Sequence, residues 1–354
     1  MQGLPGDAAP RRSGSELPVT LRRIGRHLLT PDASETSALK RGFHVKNPEA
    51  REVLERVGQT FLLGFGEAVE AGRAAALPPR LAHISPRFRG FAYEGAGMGF
   101  AMVDALTFAR GRRVREYLRG CGDAHVYMIY IGLGWAMARL PRSRWPRLPL
   151  DPLLQWFVLD GFGFHQAYFR TERYVRRHHR DSRFPRPPHD PHGYAYRALD
   201  QGIGRALWFV GGAAPDVVAE LIEGFPPGRR SDLYSGAGLA ATYAGGADEF
   251  ELREFWKRAG EHRPYVAQGS AFAAEARHRA CLETPHTEMA TGVFCDMAPA
   301  QAVQVCAEAG AELDRPGLAG AAATSGTAED EGQGLLYEEW RRRIAEEFAS
   351  RGRC

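Results

Sequence analysis

A stretch of mixed aromatic and polar residues recurs along the chain, each time followed by a Gly-x-Gly pair and then by small and apolar residues. The unit occurs six times, with a seventh, degenerate copy, and successive first glycines lie 29 to 41 residues apart. Intervals of this length are typical of a repeat built from two helices. The pairs are Gly64/Gly66, Gly95/Gly97, Gly132/Gly134, Gly161/Gly163, Gly202/Gly204, Gly236/Gly238 and the degenerate Gly269/Ala271.

Glycine and proline positions in the second half of the chain define helix boundaries. A helix that begins at Tyr194 ends before Gly211, Pro215 begins the next, and Asp248 is the expected N-cap of a later amphipathic segment. Because that segment has a continuous polar side, we place such helices outside and the glycine-bearing helices inside. The predicted helices cover 194–210, 215–222, 231–243 and 250–258.

Repeated glycine inside helices needs a physical reason, because each costs about 1 kcal/mol relative to alanine. One interpretation is a close approach of neighbouring helix backbones, which the missing Cβ allows. The other is that the glycines leave room for a ligand against the inner helices. Both interpretations predict an all-α fold in which helical hairpins stack as an α-solenoid or close into an α/α toroid.

Low-complexity segments flank the repeat region. Residues 1–20 are rich in Gly, Pro, Arg and Ser and are predicted to be a disordered tail. The helical-repeat domain then covers 21–314, and 315–334 has the composition of a flexible linker. Residues 335–354 are predicted to form a short helix, over 335–348, and a tail.

Composition excludes several classes of function. The formal net charge of +4 is a small excess of 46 basic over 42 acidic residues, so nucleic acid is not an expected partner. The five cysteines contain no CxxC pair and indicate reduced thiols rather than a disulfide framework or a zinc site. We find no signal-peptide h-region and no apolar run that could span a bilayer. The sequence therefore predicts a cytoplasmic protein without a transmembrane segment.

Motifs for common chemistries are missing. No strand pattern precedes a glycine pair and no GxxxxGK[ST] occurs, so nucleotide binding is not expected. A serine nucleophile has no elbow motif. The histidines at His178-His179 and His189-x-x-His192 match no zinc spacing. We expect neither a metal nor a cofactor.

Polar residues recur beside the glycines and are the candidates for chemistry. Because they occupy nearly equivalent places in their repeats, we expect them to approach one another on the inner wall. Neighbouring buried carboxylates raise at least one pKa, which suits proton transfer without a cofactor. The candidate catalytic residues are Glu94, Asp160, His165 and Asp200, and the polar candidates for substrate binding are Gln201, Ser235 and Gln268.

A purely structural interpretation of these residues stands beside the catalytic one. In it Asp200 pairs with Arg205 or with a neighbouring repeat, and Glu94 belongs to an internal hydrogen-bond network. Asp160, His165 and Tyr168 have the residue types of acid/base catalysis, but their spacings do not share one helix face. His165 is then a buried core histidine.

Aromatic residues concentrate near the glycine pairs and have two interpretations. They could line an apolar pocket for a long unsaturated or polycyclic ligand, or they could be ordinary core. The candidates for substrate binding are Tyr93, Tyr130, Trp135, Phe164, Tyr168, Trp208 and Tyr234.

The most specific segment of the chain is Asp160-Gly-Phe-Gly-Phe-His-Gln-Ala-Tyr-Phe169. Together with segments at 89–98, 125–141, 200–209 and 232–246, it resembles a bacterial family of unknown function encoded beside enediyne polyketide synthases. The similarity covers about 21–313 and returns over 337–343, so it includes nearly all of the predicted ordered chain. The resemblance supplies no catalytic residue.

The resemblance implies a role in making an enediyne or a related polyunsaturated metabolite. One hypothesis is a cofactor-free cyclase or isomerase that binds a polyene in an aromatic cavity and moves protons with paired acids and His165. The other is a non-catalytic helical scaffold or chaperone that binds the polyketide synthase, its accessory proteins or a reactive intermediate. Fold class alone does not choose between them.

Overall fold

The computed structural model describes residues 19–145, 150–151, 153–185, 190, 193–311, 313 and 328–351. Within these ranges the chain is helical and no β-strand occurs, so the all-α prediction is confirmed. No helix there is both long and apolar enough to cross a bilayer. The helices are α1 Val19–Leu29, α2 Ala38–Arg41, α3 Pro48–Ala71, α4 Pro78–Leu81, α5 Pro86–Leu106, α6 Arg112–Leu118, α7 Val126–Arg139, α8 Trp156–Phe169, α9 Tyr194–Val210, α10 Pro215–Glu223, α11 Pro227–Ala244, α12 Glu249–Ala259, α13 Arg263–Arg279, α14 Pro285–Phe294, α15 Pro299–Ala311 and α16 Ala328–Ser350.

Helix boundaries in the second half of the chain follow the glycine and proline signals. Helix α9 has the predicted bounds, Pro215 begins α10, and Asp248 caps α12 in a capping box with Glu251. The sequence pattern predicts a turn at Pro227, whereas in the structure Pro227 is the first residue of α11. The first turn of a helix tolerates proline because the missing N–H would have no intrahelical partner there.

The terminal segments differ in part from their predictions. Residues 1–18 of the predicted tail lie outside the described residues, and α1 begins at Val19. Residues 315–327 of the predicted linker also lie outside them, whereas 328–334 already belong to α16. The apolar residues of that helix are buried against the rest of the fold, as the helical period requires: Tyr337, Trp340, Ile344 and Phe348.

The glycine-bearing helices pack on one another in chain order, from α3 through α5, α7, α8, α9 and α11 to α13. In α8, a Cβ on Gly161 would lie 2.1 Å from the carbonyl oxygen of Ile131 in α7. A Cβ on Gly163 would lie 2.1 Å from the carbonyl oxygen of Leu199 in α9. Residues two apart point about 200° apart on a helix, so one Gly-x-Gly pair admits a backbone on each side.

The same double contact occurs in the neighbouring repeats. Gly202 faces the carbonyl oxygen of Asp160 in α8, while Gly204 faces that of Leu233 in α11. The close-packing interpretation of the glycines is therefore confirmed for these helices. Equivalent contacts to neighbouring backbones are made by Gly95, Gly132, Gly134, Gly236, Gly238 and Gly269.

Short helices connect the inner ones on the outside of the array. The expected alternation of inner and outer helices holds from α9 to α14, where α10, α12 and α14 each bury one side. It fails earlier: the described residues between α7 and α8 contain only the 3-10 turn Arg142–Arg144, and those between α8 and α9 only the π-helical turn Glu172–Arg176.

Two contacts join inner helices that are not neighbours in chain order. The ring of Phe91 in α5 meets that of Tyr243 in α11, with 5.1 Å between their centroids. The hydroxyl of Tyr127 in α7 donates to Glu275 in α13 at 3.2 Å. Helices far apart in chain order therefore enclose a common interior.

Replacing Gly202 with alanine should lower the free energy of unfolding by about 1–3 kcal/mol, because the new Cβ would lie 1.8 Å from a backbone oxygen that cannot move alone. Gly292, in α14, is the matched control. A Cβ there meets nothing within 4 Å, so Gly292→Ala should raise stability by up to about 1 kcal/mol through helix propensity. Urea unfolding followed by circular dichroism measures both, and equal effects of the two substitutions would contradict the packing account.

Candidate functional site

A narrow cavity of about 60 Å³ lies among the inner helices α3, α5, α7, α8, α9 and α11. Aromatic and aliphatic side chains form most of its wall, and several rings meet there directly. The centroid of Trp135 lies 4.4 Å from that of Phe61 and 5.2 Å from that of Phe164. The half-exposed residues Pro31, Glu35, Leu62, Phe169 and Leu239 form its rim.

The glycine pairs position the polar residues at the inner end of this cavity. Glu94 and Asp160 each precede the first glycine of a pair, and Arg205 follows the second glycine of another. Positions immediately before and immediately after a Gly-x-Gly pair are four residues apart and share one helix face. Each glycine contact therefore fixes the direction in which these side chains leave the backbone.

Glu94, Asp160 and Arg205 form a buried group of three charged side chains, each at most 5% exposed. The Arg205 guanidinium donates to Asp160 through Nη1, and it also lies 5.1 Å from the centroid of the Phe164 ring. Among the described residues no basic group forms a salt bridge with Glu94. Only Glu94 and Arg205 of the three line the cavity, with Asp160 behind the arginine.

One guanidinium thus faces two carboxyl groups in a region without water contact. Burial raises the pKa of both acids, and the positive charge of Arg205 opposes this shift in each. The effect of burial dominates at Glu94 and raises its pKa to about 7. Direct contact with Arg205 stabilises the carboxylate of Asp160, whereas Glu94 has no such contact. A buried acid with a pKa near neutrality can both donate and accept a proton.

Two hydrogen-bond donors close to Glu94 have no partner. The indole N–H of Trp135 lies near the carboxyl and opposes the rise in its pKa, but it makes no hydrogen bond of normal geometry. The buried hydroxyl of Tyr243 is also without a partner. It lies against Gly90, one turn before Glu94 on α5, where a Cβ would be 2.0 Å from the oxygen.

His165 lies next to the cavity wall rather than in it. Its ring meets Trp135 edge to face at 5.4 Å and Phe169 at 4.6 Å. Burial, with further contributions from Arg139, Arg170 and Arg41, lowers its pKa to about 3, so the ring is neutral, and its Nδ1 has no partner. A contact with Asp160 or Tyr168 in a catalytic arrangement does not form.

Asp200 does not join the cavity, which corrects the expectation of one shared polar wall. Arg229 Nε donates to one of its oxygens at 3.0 Å and Arg180 Nη2 to the same oxygen at 2.9 Å. Of the two structural alternatives for Asp200, the pairing with Arg205 does not form, since Arg205 binds Asp160, whereas the pairing with a neighbouring repeat does, through Arg229 of α11. Asp200 lies two residues before Gly202 and therefore on a different helix face from the residue directly before it.

Gln201, Ser235 and Gln268 do lie directly before glycines, and they form a second buried cluster with α16. Gln201 donates to the hydroxyl of Tyr194 at 3.2 Å and accepts from that of Tyr337 at 3.4 Å. Ser235 donates to Gln268 at 2.7 Å, and Arg341 donates to the same amide oxygen at 3.2 Å. This cluster fixes the C-terminal helix and does not line the cavity.

Of the seven aromatic candidates, only some line the cavity. Trp135, Phe164 and Tyr168 line the cavity. The remaining four are core residues with partners elsewhere: Tyr93 stacks on His125, Tyr130 accepts from the backbone of Asp151, Trp208 donates to the carbonyl oxygen of Gly245, and Tyr234 stacks on His262.

The sequence pattern does not identify several residues of the cavity as binding or catalytic candidates. Arg205 could have been found, because it follows Gly204 in the position that Phe164 and Trp135 occupy in their repeats. The 3-10 turn Ala33–Thr36 contributes Glu35 and Thr36 to the rim from outside the repeats. No periodic signal in the sequence points to that segment.

The described residues contain no cluster of three or more His, Cys, Asp or Glu side chains suited to a metal ion. His189 and His192 lie outside the described residues.

The structure is thus an all-helical array with a mainly apolar cavity and one buried acid whose pKa is raised. The chain belongs to the family described as "Protein of unknown function (DUF1702)", whose model matches residues 20–348. No curated protein and no solved structure matches the sequence. The family match extends over all the helices that form the cavity.

Replacing Glu94 with glutamine should change how stability depends on pH. Between its ordinary pKa of 4.5 and the raised value of about 7, the native state holds a proton that the unfolded state has lost. The wild-type free energy of unfolding therefore falls as pH rises through this interval, by up to about 3 kcal/mol. Glu94→Gln removes that contribution, so its stability relative to wild type should rise over the same interval.

Urea unfolding of both proteins at several pH values from 4.5 to 8, at constant ionic strength, measures the difference. Other titrating groups cancel in the comparison. A difference that does not vary with pH would show that Glu94 does not hold the raised pKa.

Proposed function

We propose that this protein binds an apolar, unsaturated small molecule in the inner cavity and uses Glu94 to move a proton during its isomerisation or cyclisation. The observation that carries the proposal is a buried carboxyl group without a salt bridge, with its pKa raised to about 7, in a mainly aromatic and aliphatic wall. Ligand pockets typically combine such walls with few polar groups, and a pKa near the working pH suits an acid/base catalyst.

Arg205 and Asp160 are positioning residues in this proposal. Their ion pair places a fixed positive charge beside Glu94, which limits the rise in its pKa to near neutrality. Without Asp160, the unpaired charge of Arg205 would favour ionised Glu94. Asp160→Asn therefore removes more than a titrating proton, and it should destabilise the protein by leaving a buried charge without its partner.

The resemblance to the family encoded beside enediyne polyketide synthases is the basis on which we assign this activity to a biosynthetic pathway. We place it in the biosynthesis of an enediyne or related polyunsaturated polyketide, in the cytoplasm, with the polyene as substrate. Rings such as Phe61, Trp135 and Phe164 suit a flat conjugated chain.

Complementation of a gene-deletion strain tests the catalytic role. Glu94→Gln keeps the size of the side chain and removes the transferable proton, so product yield should fall by at least about 100-fold, the usual scale of acid/base catalysis. Glu275→Gln is the matched control: Glu275 accepts a hydrogen bond from Tyr127 and lies outside the cavity, so yield should be unchanged. Metabolite profiling by mass spectrometry gives the readout.

A third variant separates binding from catalysis. Leu239 lies on the cavity rim and is half-exposed, so Leu239→Trp should narrow the entrance with little effect on the fold. If this variant loses product while Glu94→Gln does not, the cavity binds a ligand without proton transfer. If both retain product in a strain whose deletion mutant makes none, the non-catalytic scaffold is the better function.

A further inference from the structure

Two large apolar side chains are exposed at the turn between α5 and α6. Leu106 is 50% exposed and Phe108 is 71% exposed. The backbone of Phe108 is in the left-handed region, with φ of 55°, which is unfavourable for a bulky side chain. Strain of this kind persists only where the surrounding structure fixes it, and it is concentrated at functional sites.

Buried contacts fix the conformation of this turn. The carboxyl group of Asp104 is buried, and it accepts from the backbone N–H of Arg113 at 2.9 Å and from its guanidinium at 3.0 Å. Arg144 Nη1 donates to the carbonyl oxygen of Ala105 at 2.9 Å, and its guanidinium lies 4.0 Å from the centroid of the Phe108 ring. The exposure of Phe108 is therefore a fixed feature of the fold rather than a frayed helix end.

The surroundings of the Phe108 ring are basic. Residues 104–119 contain five arginines and two acids, a net charge of +3 in a chain whose whole net charge is +4. Both acids pair with arginines of the same segment. Arg115 Nη1 donates to the carbonyl oxygen of Arg110 at 2.7 Å, so both arginines lie at the turn. Within the described part of the chain no acid forms a salt bridge with Arg110, Arg115 or Arg144.

Helix α1 reverses the usual orientation of an amphipathic helix. Arg26 faces α3, where its Nη1 donates to Glu67 at 2.7 Å and to Glu70 at 2.8 Å. Ile24 and Leu28 lie one turn apart on the opposite side and are 50% and 75% exposed. A surface helix normally buries its apolar side against the core. Helix α1 instead leaves apolar side chains available to a partner.

Helix α1 and the α5–α6 turn meet at the C-terminal end of α3. Arg113 Nε donates to the carbonyl oxygen of Gly72 at 2.9 Å, and a Cβ on the same glycine would lie 2.9 Å from Cδ of Arg22 in α1. One end of the molecule therefore combines exposed apolar side chains with exposed arginines. We call it the basic apolar end, and its exposed residues include Arg23, Ile24, Arg73, Leu106, Phe108 and Arg110.

We infer that the basic apolar end binds the surface of an anionic lipid bilayer, with the α5–α6 turn inserted among the lipid headgroups. The arginines of the turn bind lipid phosphate groups, and the ring of Phe108 reaches the boundary of the acyl chains. This surface lies outside the cavity, so the inference goes beyond the proposed function and does not depend on Glu94.

The composition and shape of this end favour a bilayer over a protein partner. Aromatic rings and basic side chains are favourable at the same depth of an anionic bilayer, because phosphate groups lie directly above apolar chains. A protein interface instead buries its aromatic anchors in desolvated pockets, whereas Phe108 lies in an exposed turn. Apolar exposure alone does not predict lipid binding: Phe250 is also 71% exposed, but it lies between Glu249 and Glu251, which an anionic surface repels.

Cosedimentation of the full-length protein with unilamellar vesicles tests the inference. One set of vesicles contains phosphatidylcholine and phosphatidylglycerol in equal parts, and the other contains phosphatidylcholine alone. The protein should bind the anionic vesicles about 10-fold or more tightly than the neutral ones, because each arginine near the surface adds electrostatic attraction. The affinity for anionic vesicles should fall as the salt concentration rises.

Variants assign the binding to this end. Phe108→Asn should weaken binding to anionic vesicles by about 5-fold or more. It should keep or raise the thermal unfolding temperature, since asparagine adopts the left-handed conformation more readily. Phe250→Asn is the matched control, the same substitution at an equally exposed phenylalanine, and should leave binding unchanged. Arg110→Gln should weaken binding by about 5-fold, and Ile24→Gln should weaken it through α1.

Three results would overturn the inference. The first is equal or undetectable binding to the two sets of vesicles. If polyglutamate binds instead, the partner of this end is an acidic protein. The second is binding to anionic vesicles that the variants at Phe108, Arg110 and Ile24 all leave unchanged. The third is a dimer in sedimentation velocity without lipid that Phe108→Asn dissociates, because the end would then be a contact between two copies of the chain.

Discussion

The contact of glycine with a neighbouring helix backbone is the interaction on which the rest of this structure depends. At Gly202 and Gly204, α9 touches α8 on one side and α11 on the other at distances that no Cβ would allow. The two contacts leave α9 little freedom to rotate about its axis. The residues next to the glycines, among them Gln201 and Arg205, therefore enter the interior in fixed directions. The same backbone contact, repeated along the chain, determines how the helices pack. It also fixes where polar side chains enter the interior.

Charge balance then decides what each buried acid can do. Asp160 has Arg205, Asp200 has Arg229 with Arg180, and Asp232 has Arg341 with Arg197. Each of these aspartates has its own guanidinium partner and contributes to structure. Glu94 is buried to the same degree, yet within the described part of the chain no salt bridge reaches it. It shares the field of an arginine that is already paired, and its proton is correspondingly easy to gain and lose near neutral pH.

The sequence predicts the parts of this arrangement that depend on local pattern. Gly161 and Gly202 lie in inner helices as expected, and the bounds of α9 and the cap at Asp248 follow from residues close by in the chain. The single polar wall fails at Asp200 because a shift of one residue turns a side chain by about 100°. Gln201, Ser235 and Gln268 have the expected position before a glycine, but they form a separate cluster with α16. The arginine partners come from unrelated places, such as Arg229 at the start of α11 and Arg341 in α16, and no repeat pattern reveals them.

Several unfavourable terms coincide at the inner end of the cavity. Burial raises the pKa of Glu94 there, and the hydroxyl of Tyr243 makes no hydrogen bond. A glycine at position 90 also gives up helix propensity to admit the tyrosine hydroxyl. For packing alone, a phenylalanine and a glutamine would fill these places at lower free energy. Unfavourable terms gathered beside one cavity are typical of a functional site rather than of packing alone.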